Sequence, residues 1–223
     1  MKANSISLSS KSNILRAFVM SFNDGVISIA GLSLGVIAKT SNINTIIYSA
    51  LAGIIAGMIS MALGELASVS AESDSQKRII EEEKQNLSSD TALTYLENKY
   101  KERGISEKLS REVSEYLLKE EPLRTVIQEK YGFDINDITN ANFAAIASFF
   151  AFPLGSSIPL LLLTVSPINM RFAFTITGVL LSLIVIGTIS SKFSSSSVFK
   201  VIIRNIIAGS LAMVVTYIVG RII

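Results

Sequence analysis

The chain has 223 residues, of which 49% are hydrophobic and only 17% charged, well below the roughly 25% usual in a soluble domain. Its 20 Lys and Arg nearly balance 18 Asp and Glu for a net charge of +2, and the basic residues are scattered among acids, which excludes a nucleic-acid footprint. With no Cys and no His, disulfides, thiolate or imidazole metal ligands and Ser-His or Cys-His catalysis are excluded, so a metal could be held only by carboxylate, carbonyl, hydroxyl or Met sulfur.

Residues 1–13 form a polar, Ser-rich tail. The apolar stretch after it, Ile14 to Ala38, is too long for the h-region of a signal peptide and ends without a small-residue cleavage signal. It reads as a first spanning helix. Within it stands Asp24, in the run FNDGVISIAGLSLGV. A carboxylate near the middle of a span costs roughly 2.5–3.5 kcal/mol on insertion scales, and the default reading is an ion or proton site facing a bundle interior or a wet cavity.

The short turn Lys39 to Asn42 leads to a second span, about Thr45–Ser70. On it Met58, Met61 or Ala62, Glu65 and Glu72 recur at three- or four-residue spacing and so share one helical stripe. Asp24 facing Met61 and Glu65 would offer two carboxylates and a thioether. Such a set suits a soft-leaning divalent ion such as ferrous iron, and its carboxylates can exchange a proton for the cation. The competing reading is structural: hydrogen bonds within the bundle for Asp24 and Glu65, and core filling for the methionines. Gly31 with Gly35, and Gly53 with Gly57, mark one face each of the first two spans for close helix packing.

Residues 72–140 form the one polar domain, acidic and helical by its apolar spacing, with Gly104 and Pro122 as punctuation. Three to four short helices are expected. The first continues directly from the second span, because no strong helix breaker lies between Ser60 and Gln85. Glu81, Glu82 and Glu83, with Glu72 and Asp74 upstream, could chelate a hard cation at a pore entrance or draw cations by their field. Lys and Arg alternate with these acids, as on an ordinary solvated helix face.

Three further spans follow, at about Ala141–Val165, Arg171–Ser190 and Val198–Ile222. Each meets the roughly 20 apolar residues that a hydrocarbon core demands, and all must be helices because open strands cannot satisfy their backbone in lipid. Pro153 and Pro159 in the third predict a kink with a freed carbonyl. The expected architecture is an all-α membrane protein: helices 1 and 2 in residues 14–71, a cytosolic helical domain in 72–140, and helices 3–5 in 141–223. Lys2, Lys11, Arg16, the 72–140 segment, Lys192, Lys200 and Arg204 on one side outnumber Lys39, Arg171 and Arg221 on the other. The positive-inside rule then predicts a cytosolic N-terminus and a C-terminus outside or in a lumen.

The blocks DGVISIAGLSLGV and AGMISMALGELASVSAESD, the acidic insert containing YKERG, and the final GSLAMVVTYIVGRII resemble, in order and over nearly the whole chain, the vacuolar iron transporter family. The resemblance implies a homodimer of five-span subunits that moves ferrous iron or manganese out of the cytosol in exchange for protons. The metal would be cargo, with no permanently bound cofactor. The host membrane would be the cell membrane in a prokaryote or a vacuolar-type membrane in a eukaryote. Asp24 matches the family's acidic residue in span one and Met61 its span-two methionine. Gly64, Glu65 and Asp74 match the GE…D pattern of many prokaryotic members, while Glu81, Glu82 and Glu83 fall where plant-type carriers gather metal. The plant-type second acid of span two is here Gly53, which leaves Glu65 to supply the membrane carboxylate. Two other readings remain: a calcium or other cation:proton exchanger on the same scaffold, and a non-transporting membrane scaffold whose polar domain binds a partner. No nucleophile motif points to an enzyme.

Overall fold

The structure is a computed structural model, described for residues 8–138, 140–192 and 196–222. The first seven residues of the expected tail lie outside the described residues, and from Leu8 onward the chain is already helical. The described residues form eight α-helices and one short 3-10 turn, with no strand among them. They divide into two compact units, one built from Lys11–Ser68 with Ala141–Ile223, the other centred on Val69–Asn140.

Five helices are long and apolar enough to cross a membrane. They are α1 (Leu8–Lys39), α2 (Ile43–Asn86), α6 (Ala141–Val165), α7 (Arg171–Ser191) and α8 (Val198–Ile222). Helix α2 runs unbroken for 44 residues, so the second apolar stretch and the start of the polar segment are one helix. A 3-10 turn, Ile168–Met170, precedes α7.

Helix α1 is the central helix of the apolar unit. Half of its most apolar window is buried, against 11% for α2. One side of α1 packs Val26, Ala30 and Leu34 against Val179, Leu183 and Ile186 of α7 and Met213 of α8. Its other side sets Ile29 against Ala50 and Ile54 of α2 and Phe152 of α6.

Glycines let backbones touch at two of these contacts. A Cβ on Gly25 would fall onto the carbonyl oxygen of Phe152, and one on Gly155 onto the carbonyl of Phe22, so α1 and α6 meet main chain to main chain. The Ser156 hydroxyl of α6 donates to the Gly25 carbonyl at 3.2 Å across that seam. Likewise α8 meets α1 where a Cβ on Gly220 would strike the Gly35 carbonyl, and one on Gly35 would lie 3.0 Å from the Thr216 carbonyl. Gly53 and Gly57 of α2 instead face side chains, Leu32 and the ring of Phe152. The glycine pairs of the first two spans thus serve helix packing, the small-residue use expected where lipid offers no hydrophobic drive.

In the polar unit, α3 (Ser89–Glu102), α4 (Glu107–Glu120) and α5 (Pro122–Tyr131) pack Leu96, Tyr100, Val126 and Ile127 inward. Gly104, at φ +86°, ends α3 in a left-handed turn. Its amide donates to the Lys101 carbonyl and that of Ile105 to the Tyr100 carbonyl, satisfying the last orphan acceptors. Pro122 opens α5, where a missing amide proton costs nothing, and Gly132 closes it at φ +77°.

Replacing Gly155 by Ala should force two backbones apart and lower stability by about 1–3 kcal/mol. The same change at Gly178, whose Cβ would meet only the side-chain end of Leu162, should cost less. Thermal unfolding of the two variants in one detergent checks the order.

Candidate functional site

One cavity of about 500 Å3 in the apolar unit is lined in part by polar side chains. Helix α1 contributes Asn23 and Asp24, on the face that also carries Val19, Met20 and Ile27 at three- or four-residue spacing. Gly25, the next residue, sits against the backbone of α6. That contact fixes the rotation of α1 and turns its neighbour Asp24 to the cavity. Helix α2 contributes Met61, α7 contributes Ser190, and α8 contributes Arg204 and Asn205.

Asp24 is half-buried, and its Oδ1 accepts a hydrogen bond from the Ser28 hydroxyl at 3.0 Å. One donated hydroxyl leaves most of a carboxylate's accepting capacity open to the cavity. The Asn23 Oδ1 is buried and accepts no hydrogen bond among the described residues. Asn205 is buried, while Arg204 is exposed. Among the described residues no ion pair joins Arg204 to Asp24. The wall therefore offers a carboxylate, two thioethers, two amides and a hydroxyl, with one guanidinium.

The other expected site residues are dispersed. Glu65 follows Met61 by one turn of α2, is half-buried, and does not line this cavity. Glu72, Glu81 and Glu82 are exposed on α2; Glu81 accepts a hydrogen bond from Gln85 and Glu82 lies 3.9 Å from Arg78. Glu83 is engaged within the polar unit, where Lys130 Nζ lies 2.5 Å and the Tyr131 hydroxyl 2.7 Å from its Oε1. Bonds from Lys130 and then Tyr131 hold the Glu83 carboxyl below its ordinary pKa. Among the described residues no three carboxylates cluster as a metal site. Any ion held here meets a mixed shell.

Sequence reasoning missed Asn23, Ser190 and Asn205, and counted Arg204 only as a topology charge. The available signal was the pair Arg204-Asn205, two polar residues six and seven positions inside the fifth apolar helix. A sequence alone does not say which way that helix is turned.

A second cavity of about 500 Å3 lies further along α1, at Leu32, Gly35, Val36 and Lys39, and is closed by the start of α2 and the end of α8. Its lining is mostly apolar, with Thr45, Ser49 and Thr216 as polar interruptions.

Comparison with known proteins gives one consistent answer. The model of the VIT family matches residues 15–221. A protein of Acanthamoeba castellanii named "Vacuolar iron transporter" is 32% identical over 92% of this chain and 77% of its own length. "Vacuolar iron transporter homolog 1" of Arabidopsis thaliana is 30% identical over 94% of this chain and 82% of its own length. The rice protein of the same name is 29% identical over 91% of this chain and 71% of its own length.

The polar unit yields a pH prediction. Asp134 is held below its ordinary pKa of 3.8, chiefly by the Arg124 guanidinium at 2.6 Å and then by the Asn136 amide. A lowered folded pKa means the pair stabilises the unit above the ordinary carboxylate range and loses that contribution as pH falls through the lowered value. Carbon-13 NMR of Asp134 should show a midpoint below 3.8, moving up toward it in Arg124→Gln.

Proposed function

This chain belongs to the VIT family, and on that premise we propose that it carries ferrous iron or manganese out of the cytosol across a membrane, exchanging the metal for protons, as a homodimer. It is a transporter and not an enzyme. The observation that carries the reading is that Asp24 and Met61, a carboxylate and a thioether from different helices, line one cavity within the apolar unit. The names of its relatives, printed as vacuolar iron transporters, support the cargo.

The chemistry follows from the donors. A carboxylate binds a divalent ion strongly in a low-dielectric wall, and a thioether adds little charge but favours the softer transition ions over magnesium and calcium. When the ion departs, Asp24 becomes an unpaired charge among apolar helices, and a proton relieves that cost. Alternation of metal and proton on one carboxylate is the minimum that an antiporter needs. Glu65, one turn further along α2, extends the same stripe as a second exchanging group. Glu72, Glu81, Glu82 and Glu83 raise the cation concentration at the cytosolic mouth through their field. The excess of Lys and Arg on one side supports a cytosolic N-terminus, and five spans are consistent with a C-terminus outside or in a lumen.

The dimer is supported by α2. Tyr48, Leu51, Ile55, Ile59 and Leu63 form an exposed apolar stripe along it at helical spacing.

Proteoliposomes holding the purified chain should take up Fe2+ and Mn2+ when a proton gradient is imposed. Asp24→Asn should cut the rate at least about tenfold, because a neutral amide neither charge-balances the ion nor takes the proton. Met61→Ala should slow Fe2+ more than Ca2+. Equal losses for both ions would favour a general cation exchanger, and no uptake of any divalent ion by the unaltered chain would favour a scaffold.

The acidic residues of α2 separate by their partners. Glu81→Gln with Glu82→Gln should raise the KM for uptake two- to threefold at low salt and less at high salt, as a field effect does. Glu83→Gln should change it less, since Lys130 already matches that charge.

A further inference from the structure

The second cavity, of about 500 Å3, has no part in the transport reading. It lies where α1 ends, α2 begins and α8 ends, at one end of the apolar unit. Its two halves differ in character. Leu32 and Val36 of α1 with Val215 and Val219 of α8 form an apolar wall that runs along both helices. Lys39, Thr40 and Thr45 form a polar rim at the helix ends, and Ser49 lies one turn inside it on the face of α2 that carries Thr45. The hydroxyls of Thr45 and Ser49 make no hydrogen bond among the described residues, and that of Thr40 accepts the Asn42 amide at 3.1 Å and keeps its own proton to donate. Thr216, by contrast, is spent on the Ala212 carbonyl at 2.8 Å.

The charge at this end is one-sided. Residues 25–64 and 141–223 contain no Asp or Glu. Lys39 closes α1, Arg171 opens α7 and Arg221 lies in the last turn of α8. The rings of Phe172 and Tyr217, 5.2 Å apart, bring the start of α7 and the end of α8 together.

We propose that this cavity binds one anionic phospholipid, its phosphate at Lys39 and the Thr40 and Thr45 hydroxyls, its glycerol ester at Ser49, and one acyl chain along Leu32, Val36, Val215 and Val219. The site is separate from the ion's cavity and stands apart from the transport reading. Each half of the cavity asks for half of that molecule. A free phosphate would leave the apolar wall in water, at about 25 cal/mol for each Å2. A zwitterionic lipid would bring its own ammonium to a basic rim that has no carboxylate to receive it. An anionic phospholipid supplies the charge at the level of the helix ends and the hydrocarbon just inside them. The main-chain contact of Gly35 with Gly220 fixes the back wall, so the slot is formed before the lipid arrives, as ligand sites usually are.

The test uses the full-length chain in detergent, with phosphatidylglycerol as the probe and phosphatidylcholine of the same chains as the control. Native mass spectrometry counts bound lipid and reads the oligomeric mass, and circular dichroism follows thermal unfolding. One phosphatidylglycerol per chain should bind at least about tenfold tighter than phosphatidylcholine and raise the melting temperature. Lys39→Gln should erase that preference. Val36→Phe, which fills the acyl slot, should weaken both lipids at least about tenfold. If Val36→Phe fails to fold, Ser49→Phe fills the slot from α2 instead, with the same expectation. Inorganic phosphate in large excess should not displace the lipid. Equal binding of the two lipids by the parent, or an unchanged preference in Lys39→Gln, would overturn the site. Displacement by inorganic phosphate would make it a plain anion site. Loss of a dimer in Val36→Phe, with no lipid held by the parent, would give the cavity to a second copy of the chain. Each of these results overturns the lipid and leaves the transport reading untouched, because that reading is decided by metal uptake.

Discussion

A single carboxylate inside an apolar bundle sets the terms for everything around it. Asp24 lies on the central helix of the apolar unit, where an isolated negative charge has no cheap state. One hydroxyl, from Ser28, does not neutralise it. The surroundings answer with a cavity in place of an ion pair, with Asn23, Ser190, Arg204 and Asn205 among the residues on its walls. A purely structural acid would be expected to be sealed by donors. This one is left accessible, which is the arrangement an exchanging ligand requires.

The absence of His and Cys gives the site its character. Without imidazole or thiolate, selectivity at the proposed site would come from a weak, oxygen-rich set softened by thioether sulfur. On the proposed exchange, proton handling would likewise fall to carboxylates, so the group that holds the cargo and the group that takes the proton could be the same atom pair.

Much of this was legible in the order of residues. Five apolar blocks announce five helices, and α6 and α8 begin and end where composition alone places them, because charged or turn-forming residues bound each block. The long reach of α2 was legible too, since nothing between Ser60 and Gln85 forbids helix. Asp24 and Met61 stand out by their chemistry in an apolar context. What was not legible is rotation and depth. Glu65 shares a stripe with Met61, yet four residues carry it about 6 Å along the axis, past the cavity that Met61 reaches. Asn205 went unread because its meaning depends on which way α8 faces, and contacts such as Gly220 with Gly35 lie far from the site.

Those glycine seams also divide the bundle mechanically. Where α1 meets α6 and α8, main chain rests on main chain, and sliding would require carbonyls to climb over one another. Helix α2 touches α1 through the flexible ends of Leu32 and Ile29, contacts that rearrange by rotamer changes. If the proposed site holds the ion, a rocking α2 would swing the Met61 sulfur toward and away from Asp24, and the grip on the cargo would tighten and slacken with the stroke of one helix.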